Sequence, residues 1–438
     1  KTQYFASLKR RNMETIIEKI IPKAFLVGVC LNKRDLEQKE ISLDELERLA
    51  DTAGIETKGK FIQSRQKIEK ATYVGKGFLE DLKAKMEMVG ADILIFDNEL
   101  SPTQGRNILK RHELETIDRT ELILDIFHDH AKTKEAKLEV KLAELKYQLP
   151  RLKKLWSHLD RERGASGSGT GASRGMGEKQ IEIDRRIITS EIKKIGTELQ
   201  KIMNQKIVQR KQRENVKKVC LVGYTNSGKS TLFNKLTGAD VLVEDKLFAT
   251  LDSTARSLEL EKGKNIILSD TVGFISQLPG NLVASFRATL KDVNDADLLV
   301  HIVDISDDNC EEQIKAVGEV LTQIEANEIP SVLVFNKVDK LSEHRVREEI
   351  FIDKYPRSVI ISAVTGENID KLLKKVDDML NLSSTYKLLL PFEEQKLLAQ
   401  LHDFGNVLSK EFTDEGVVVE AVVNKEDLKK VEKYIVKT

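Results

Sequence analysis

Apolar positions along this chain fall into short continuous runs separated by stretches of helical period. Residues 25–31 form such a run, the mark of a strand buried on both faces, and Ser42 with Glu45 three residues on predicts a capping box opening a helix towards Gly54. A second run, Ile93 to Phe96, is followed by Ser101 and Pro102, a cap with proline at the first helical position. Strand and helix alternate in this way up to about residue 131, which predicts an α/β domain over 1–131. Gly75-Lys76-Gly77 precedes a further helix; it lacks the rest of a phosphate loop and is read as a turn.

From residue 132 the period changes. Leu138, Leu142, Leu145, Leu149, Leu152, Trp156 and Leu159 alternate spacings of four and three, and so do Ile188, Ile192, Ile195, Leu199 and Ile202. Two helices can zip along these seams, with Pro150 expected to kink or restart the first. Between them residues 164–177 hold six glycines in fourteen positions, which predicts an antiparallel hairpin over 132–215 tipped by a mobile loop. A 28-residue arm would reach roughly 40 Å at ~1.5 Å per residue.

Charge gives this hairpin a purpose. The chain of 438 residues carries 71 basic and 71 acidic side chains, yet residues 132–218 hold 23 Lys/Arg against 11 Asp/Glu, leaving 48 against 60 elsewhere. Positive charge concentrated on an otherwise acidic body is the footprint of a polyanionic partner. Arg151, Lys153, Lys154, Arg161, Arg163, Arg174, Lys179, Arg185 and Arg186 crowd towards the tip, and Arg163, Arg174, Lys179, Arg185 and Arg186 are the candidate RNA-binding residues. At 438 residues one core is too few. The longest apolar run has eight residues, against the ~20 that a bilayer span needs. Cys30, Cys220 and Cys310 are odd in number and far apart, as in a reduced cytoplasmic protein. The basic start lacks a secretory pattern, and because residue 1 is Lys a short native beginning is expected to be missing.

The candidate chemistry begins at residue 219. The apolar run to Val222 leads into Gly223, Tyr224, Thr225, Asn226, Ser227, Gly228, Lys229 and Ser230, with Thr231 opening a helix: a complete phosphate loop in its strand-loop-helix context. Backbone amides cradle the phosphates, Lys229 reaches the β/γ oxygens and the Ser230 hydroxyl ligates Mg²⁺. Three further strand ends select guanine. Asp270, Thr271, Val272 and Gly273 place a carboxylate for the Mg²⁺ shell and an amide that senses the γ-phosphate. Asn336, Lys337, Val338 and Asp339 offer a carboxylate to the guanine N–H donors. Ser362 and Ala363, with Val364 beside them, offer a backbone amide to the guanine oxygen. A P-loop GTPase domain over 216–383 follows, with GTP and Mg²⁺ as cofactors and Lys229, Thr250 and Gly273 as catalytic candidates.

Two positions bear on rate. The residue after Gly273, where Ras-like enzymes orient the attacking water with glutamine, is Phe274, so intrinsic hydrolysis should be slow. Asn226 stands where potassium-using GTPases carry asparagine, which makes K⁺ a candidate cofactor. Residues 247–256 form the first switch, in which Thr250 and Thr254 are both candidates for Mg²⁺.

Residues 223–234, Phe248 to Asp252 and Asp270 to Ile275 resemble the GTPase motifs of the HflX family of ribosome-associated GTPases. Tyr73 to Gly77, Asp118 to Thr120, Ile123 to Phe127 and Leu149 to Leu152 resemble its N-terminal pattern. The resemblance implies that the Mg²⁺ threonine is Thr250, within a nucleotide-contacting stretch of Phe248, Ala249, Thr250, Leu251 and Asp252. It further implies binding to the large ribosomal subunit, with the hairpin loop towards the peptidyl transferase centre, and GTP-dependent splitting of stalled or idle ribosomes; the free chain is expected to be monomeric. Ala172, Met176 and Lys179 depart from the family's usual tip, and Ser253 replaces a usual proline. The alternative is a GTPase coupled to RNA modification or remodelling. The tail, 384–438, has a strand-like run from Gly416 to Val423 and a final helix, and reads as a small α/β domain. The whole is thus an α/β multidomain protein.

Overall fold

The computed structural model describes residues 21–436 apart from 165–173, 212–215, 240–245, 251–252, 261–263, 277–290, 342–343, 381–382, 395–396, 399–400, 402–404, 414–415 and 425–427. The hairpin tip and the switch residues Leu251 and Asp252 therefore lie outside the described residues. The chain divides into two compact units, one holding residues up to Ile202 together with Lys246–Phe248, the other most of the remainder.

In the first unit, β1 (Lys23–Cys30), β2 (Glu56–Ser64), β3 (Ile93–Phe96) and β4 (Thr116–Asp118) form a parallel sheet in the order β2-β1-β3-β4. The continuous apolar run of β1 suits its central place, where both faces are covered. Asp97, at the end of β3, is fully buried and takes Lys39 Nζ at 2.7 Å, Ser42 Oγ at 2.9 Å and Arg119 Nη1 at 3.1 Å; Arg119 also meets Glu45. This network overturns the expected cap at Ser42. The helix spans Leu36–Thr52, so Ser42 lies inside it, its hydroxyl turned to Asp97 instead of the helix end. Ser101, by contrast, caps Pro102–His112 in a full capping box with Gln104.

The hairpin helices span Lys134–Gly164 and Arg174–Lys211. Leu142, Leu145, Ile195 and Leu199 form their buried seam, flanked by Leu138, Ile188 and Ile192. The first helix does not restart at Pro150, which lies inside it. Residues on both sides are tied to the sheet domain: Tyr147 Oη donates to Asp118 at 2.9 Å, and Arg151 Nη2 donates to Leu100 O at 3.0 Å. These bonds hold the helix through the one backbone donor that proline lacks. They also remove Arg151 from the basic cluster expected near the tip, since its guanidinium is spent on Asp118 and Glu99.

In the second unit β5 (Lys217–Gly223), β6 (Thr254–Glu259), β7 (Asn265–Asp270), β8 (Leu298–Asp304), β9 (Ser331–Asn336) and β10 (Val359–Ile360) form a sheet in the order β10-β9-β8-β5-β7-β6, parallel except at β6–β7. Alternate β8 side chains serve two cores, with Leu298, Val300 and Ile302 on one face and Val303 on the other. Gly223, Asp270, Asp304 and Asn336 all end their strands at the same edge, the place where open α/β sheets bind ligands. The tail forms a separate antiparallel sheet of β11 (Ser383–Leu390), β12 (Gly405–Thr413) and β13 (Gly416–Asn424), with β13 central. All three cysteines are buried and unbridged. Among the described residues no helix is long and apolar enough to cross a membrane.

Candidate nucleotide-binding site

Residues 223–228 turn from β5 into the helix Lys229–Thr237, whose Leu232 and Phe233 sink into the core and fix the turn. The turn demands glycine at 228: its φ is +92°, and a Cβ there would lie 2.2 Å from Asn336 Nδ2. That amide donates to Ser227 O at 2.9 Å, and Asn336 Oδ1 accepts from Ala363 N at 2.9 Å. One side chain thus joins the phosphate loop to two segments expected to contact the base. Lys337 Nζ adds a bond to Asn226 O at 2.6 Å and pairs with Asp304 at 2.7 Å. Ser362 Oγ donates to Asp339 Oδ1, which orients the carboxylate. Val364 is two-thirds exposed, whereas Ser362 and Ala363 are buried. Val338 is buried in the β9 core and presents no side chain to a ligand.

Lys229 Nζ donates to Gly223 O at 3.1 Å and Tyr224 O at 2.7 Å. Burial lowers its pKa to about 8, with the charge of Asp270 opposing that effect. Burial likewise raises the pKa of Asp270, against the Ser230 hydroxyl and Lys229. Ser230 Oγ donates to Asp270 Oδ2 at 2.6 Å and lies 2.9 Å from Thr250 Oγ1. The other Asp270 oxygen, Oδ1, is buried without a hydrogen-bond partner, as are Thr225 Oγ1 and Ser227 Oγ. A converged carboxylate and two hydroxyls fit a hard, oxygen-seeking cation such as Mg²⁺, and the unmatched Oδ1 leaves acceptor capacity for it.

The two threonines of the first switch separate. Thr250 reaches Ser230, while Thr254 opens β6 and pairs in register with Asp270 on β7. Phe248 belongs to the first unit. There its φ of +58° buries the ring edge-on against Phe127, centroids 4.6 Å apart, and its carbonyl lies 2.8 Å from His130 Nδ1. Its side chain therefore completes a core of the first unit. Thr271 is buried and donates to Leu221 O at 2.7 Å, and half-buried Thr231 follows Ser230. Gly273 abuts the loop so closely that a Cβ would lie 2.8 Å from Thr225 Cα and 3.1 Å from Lys229 Nζ. Among the expected RNA contacts, Arg185 and Arg186 are exposed, with Arg186 paired to Glu182. The side chains of Arg163, Arg174 and Lys179 lie outside those described.

Residues 40–128, 130–213 and 218–337 match, in turn, the families described as GTP-binding GTPase N-terminal, GTP-binding GTPase Middle Region and 50S ribosome-binding GTPase. A GTPase HflX of Caldanaerobacter subterraneus is 41% identical over 436 residues, spanning 96% of this chain and 99% of that protein. The chain belongs to the HflX family of GTPases. The Escherichia coli GTPase HflX is 40% identical over 397 residues, 90% of this chain and 91% of its own. A solved GTP-binding protein of Sulfolobus solfataricus in complex with GDP is 25% identical over 82% of this chain and 98% of its own, with a TM-score of 0.43.

As an HflX GTPase the protein hydrolyses GTP. Two features of its site have no motif to announce them. The phosphate-loop pattern leaves the identity of residue 224 open, yet Tyr224 Oη accepts a bond from Ser276 N at 2.7 Å. His301, on β8, is a polar side chain in an apolar run; burial and the nearby charge of Lys229 lower its pKa to about 4. The interruption of that run by histidine was the available signal.

Proposed function

We propose that this HflX GTPase binds the large ribosomal subunit through its basic hairpin, residues 132–215, and uses GTP to split stalled or idle ribosomes. The supporting observation is the pairing, in one chain, of a GTPase site with a two-helix arm carrying the excess positive charge. Phosphate contacts from such an arm suit ribosomal RNA, which is recognised through backbone and shape. One relative family is itself described as a 50S ribosome-binding GTPase.

In the reaction the loop amides and Lys229 hold the triphosphate, and Ser230, Thr250 and Asp270 hold Mg²⁺, which neutralises developing phosphate charge when bound. Asp339 selects guanine, held by Ser362. Phe274 is buried and offers no hydrogen bond to water, so turnover by the free protein is slow and the ribosome supplies the missing order or charge. Asn226, whose φ is +60°, is the candidate for K⁺.

Co-sedimentation with purified subunits, in GTP analogue or GDP, together with light scattering of ribosome dissociation, tests the reading. Nucleotide-dependent binding to the large subunit and GTP-dependent splitting are expected, with hydrolysis stimulated by subunits and faster in K⁺ than Na⁺. Binding without splitting would reduce the role to a ribosome-bound GTPase, and equal rates in both salts would remove K⁺.

A further inference from the structure

Residues 273–276, which follow Asp270 and serve as a second switch under the proposed function, are strand-paired to the phosphate loop. Phe274 N donates to Gly223 O at 3.1 Å and Thr225 N donates to Phe274 O at 2.7 Å, with Tyr224 and Phe274 forming a parallel bridge between them. The ladder would end there, leaving Ser276 N to find its own partner. It finds the phenol of Tyr224, 2.7 Å away. Three backbone groups of the switch are thus satisfied by three consecutive residues of the loop. Phe274 and Ile275 are buried in the process, each at most 2% exposed.

We propose that Tyr224 is a positioning residue for hydrolysis, whose hydroxyl fixes the second switch and thereby sets the Gly273 amide against the γ-phosphate. Gly273 is the residue immediately before the ladder, so its backbone can shift only as far as Phe274 allows. It already lies at contact with Thr225 and Lys229. Small displacements at such a donor are costly, because an amide stabilises transferring charge only when preset at hydrogen-bond distance. A GTPase with glutamine after this glycine orients water through a side chain. Here the equivalent residue is apolar and buried, so order in the switch must come from the backbone, and Tyr224 supplies the bond that extends it. The phenol meets Ser276, whereas the bond from Lys229 Nζ goes to the Tyr224 backbone oxygen, which a side-chain substitution keeps, so the effect falls on switch geometry and leaves diphosphate binding alone.

The test compares Tyr224→Phe and Tyr224→Leu with the parent full-length chain. Tyr224→Phe keeps the ring and removes only the hydroxyl. The expected result is GDP affinity within twofold of the parent, single-turnover GTP hydrolysis slowed about three- to tenfold, the range one lost neutral hydrogen bond supplies, and faster amide exchange at Ser276. Tyr224→Leu should lose at least as much. An unchanged hydrolysis rate in Tyr224→Phe, or unchanged Ser276 exchange, overturns the proposal. So does a loss confined to Tyr224→Leu, which would assign the effect to ring packing, or a parallel loss of GDP affinity, which would make Tyr224 part of the binding framework alone.

Discussion

Arg151 lies over the ring of Tyr147, its guanidinium carbon 3.3 Å from the ring centroid, and both side chains end on Asp118. Asp118 also caps the helix Arg119–His130 through Glu121 N and accepts from Leu100 N, each at 3.0 Å. A single buried carboxylate thereby joins β4, the segment at Leu100, the helix Arg119–His130 and the first hairpin helix. Burial raises its pKa, and the bonds from Glu121, Arg151, Leu100 and Tyr147 work against that. Arg151→Ala removes the cation and the stacking partner together, leaving the carboxylate short of charge compensation. The expected cost is about 2–3 kcal/mol, below the full value for a buried pair because Arg151 keeps some solvent contact. Denaturant titrations of parent and variant, followed by circular dichroism, measure the change. An unchanged midpoint would show that the clasp adds nothing.

Under the proposed function, guanine selection rests on Asp339. Its carboxylate is oriented by Ser362 Oγ, on the segment whose Ala363 amide is held by Asn336. Asp339→Asn replaces an acceptor with a donor where the guanine N–H groups point. GTP affinity should fall by about 2–3 kcal/mol, as expected for a lost charge-assisted pair of bonds, and xanthosine triphosphate should become the preferred substrate. Competition titrations with both nucleotides check this; retained GTP preference would move base recognition elsewhere.

The arm and the nucleotide site should fail separately. Replacing Arg174, Lys179, Arg185 and Arg186 with alanine removes four positive charges from the hairpin without touching the phosphate loop. Subunit binding should weaken and its salt dependence flatten by up to about four in log–log slope, since each phosphate contact releases roughly one counterion. Basal hydrolysis should be unchanged. Lys229→Ala should do the reverse, abolishing hydrolysis while leaving the arm's charge intact. A four-alanine variant with the parent salt slope would reduce the arm to a spacer.

What the sequence displayed best was chemistry held by the backbone. The phosphate loop, Asp270 and Asn336 sit at strand ends because motif and strand pattern coincide, and the helical seam of Leu142, Leu145, Ile195 and Leu199 follows from spacing alone. Long-range side-chain partnerships were hidden. Ser42 has the local pattern of a cap, but Asp97, 55 residues away, competes for its hydroxyl and wins because a buried carboxylate needs donors. Arg151 looks like one more basic residue of the arm until Asp118 claims it. Phe248 sits among switch residues in sequence, and only the packing against Phe127 reveals that it fills a core.

His301 makes the second unit sensitive to acid. It stands on β8 between β5 and β9, opposite Val222 and Leu333, and its Nε2 is buried without a hydrogen-bond partner. Burial, reinforced by the charge on Lys229, lowers its pKa from 6.5 to about 4. The folded protein therefore keeps the ring neutral down to about pH 4, whereas the unfolded chain takes up a proton near pH 6.5. Stability linked to this group is fully present above about 6.5 and is lost as the pH falls from there to about 4. A shift of this size is worth about 3 kcal/mol at the acid end. His301→Leu should abolish that dependence. At pH 7 the same change should be nearly neutral or stabilising, because it exchanges an unsatisfied buried polar atom for an apolar one of similar bulk. Thermal unfolding of parent and variant at pH 7 and pH 5 decides the matter. The two should melt close together at pH 7 and diverge at pH 5 with the variant higher; parallel losses in both proteins would place the acid sensitivity on other groups.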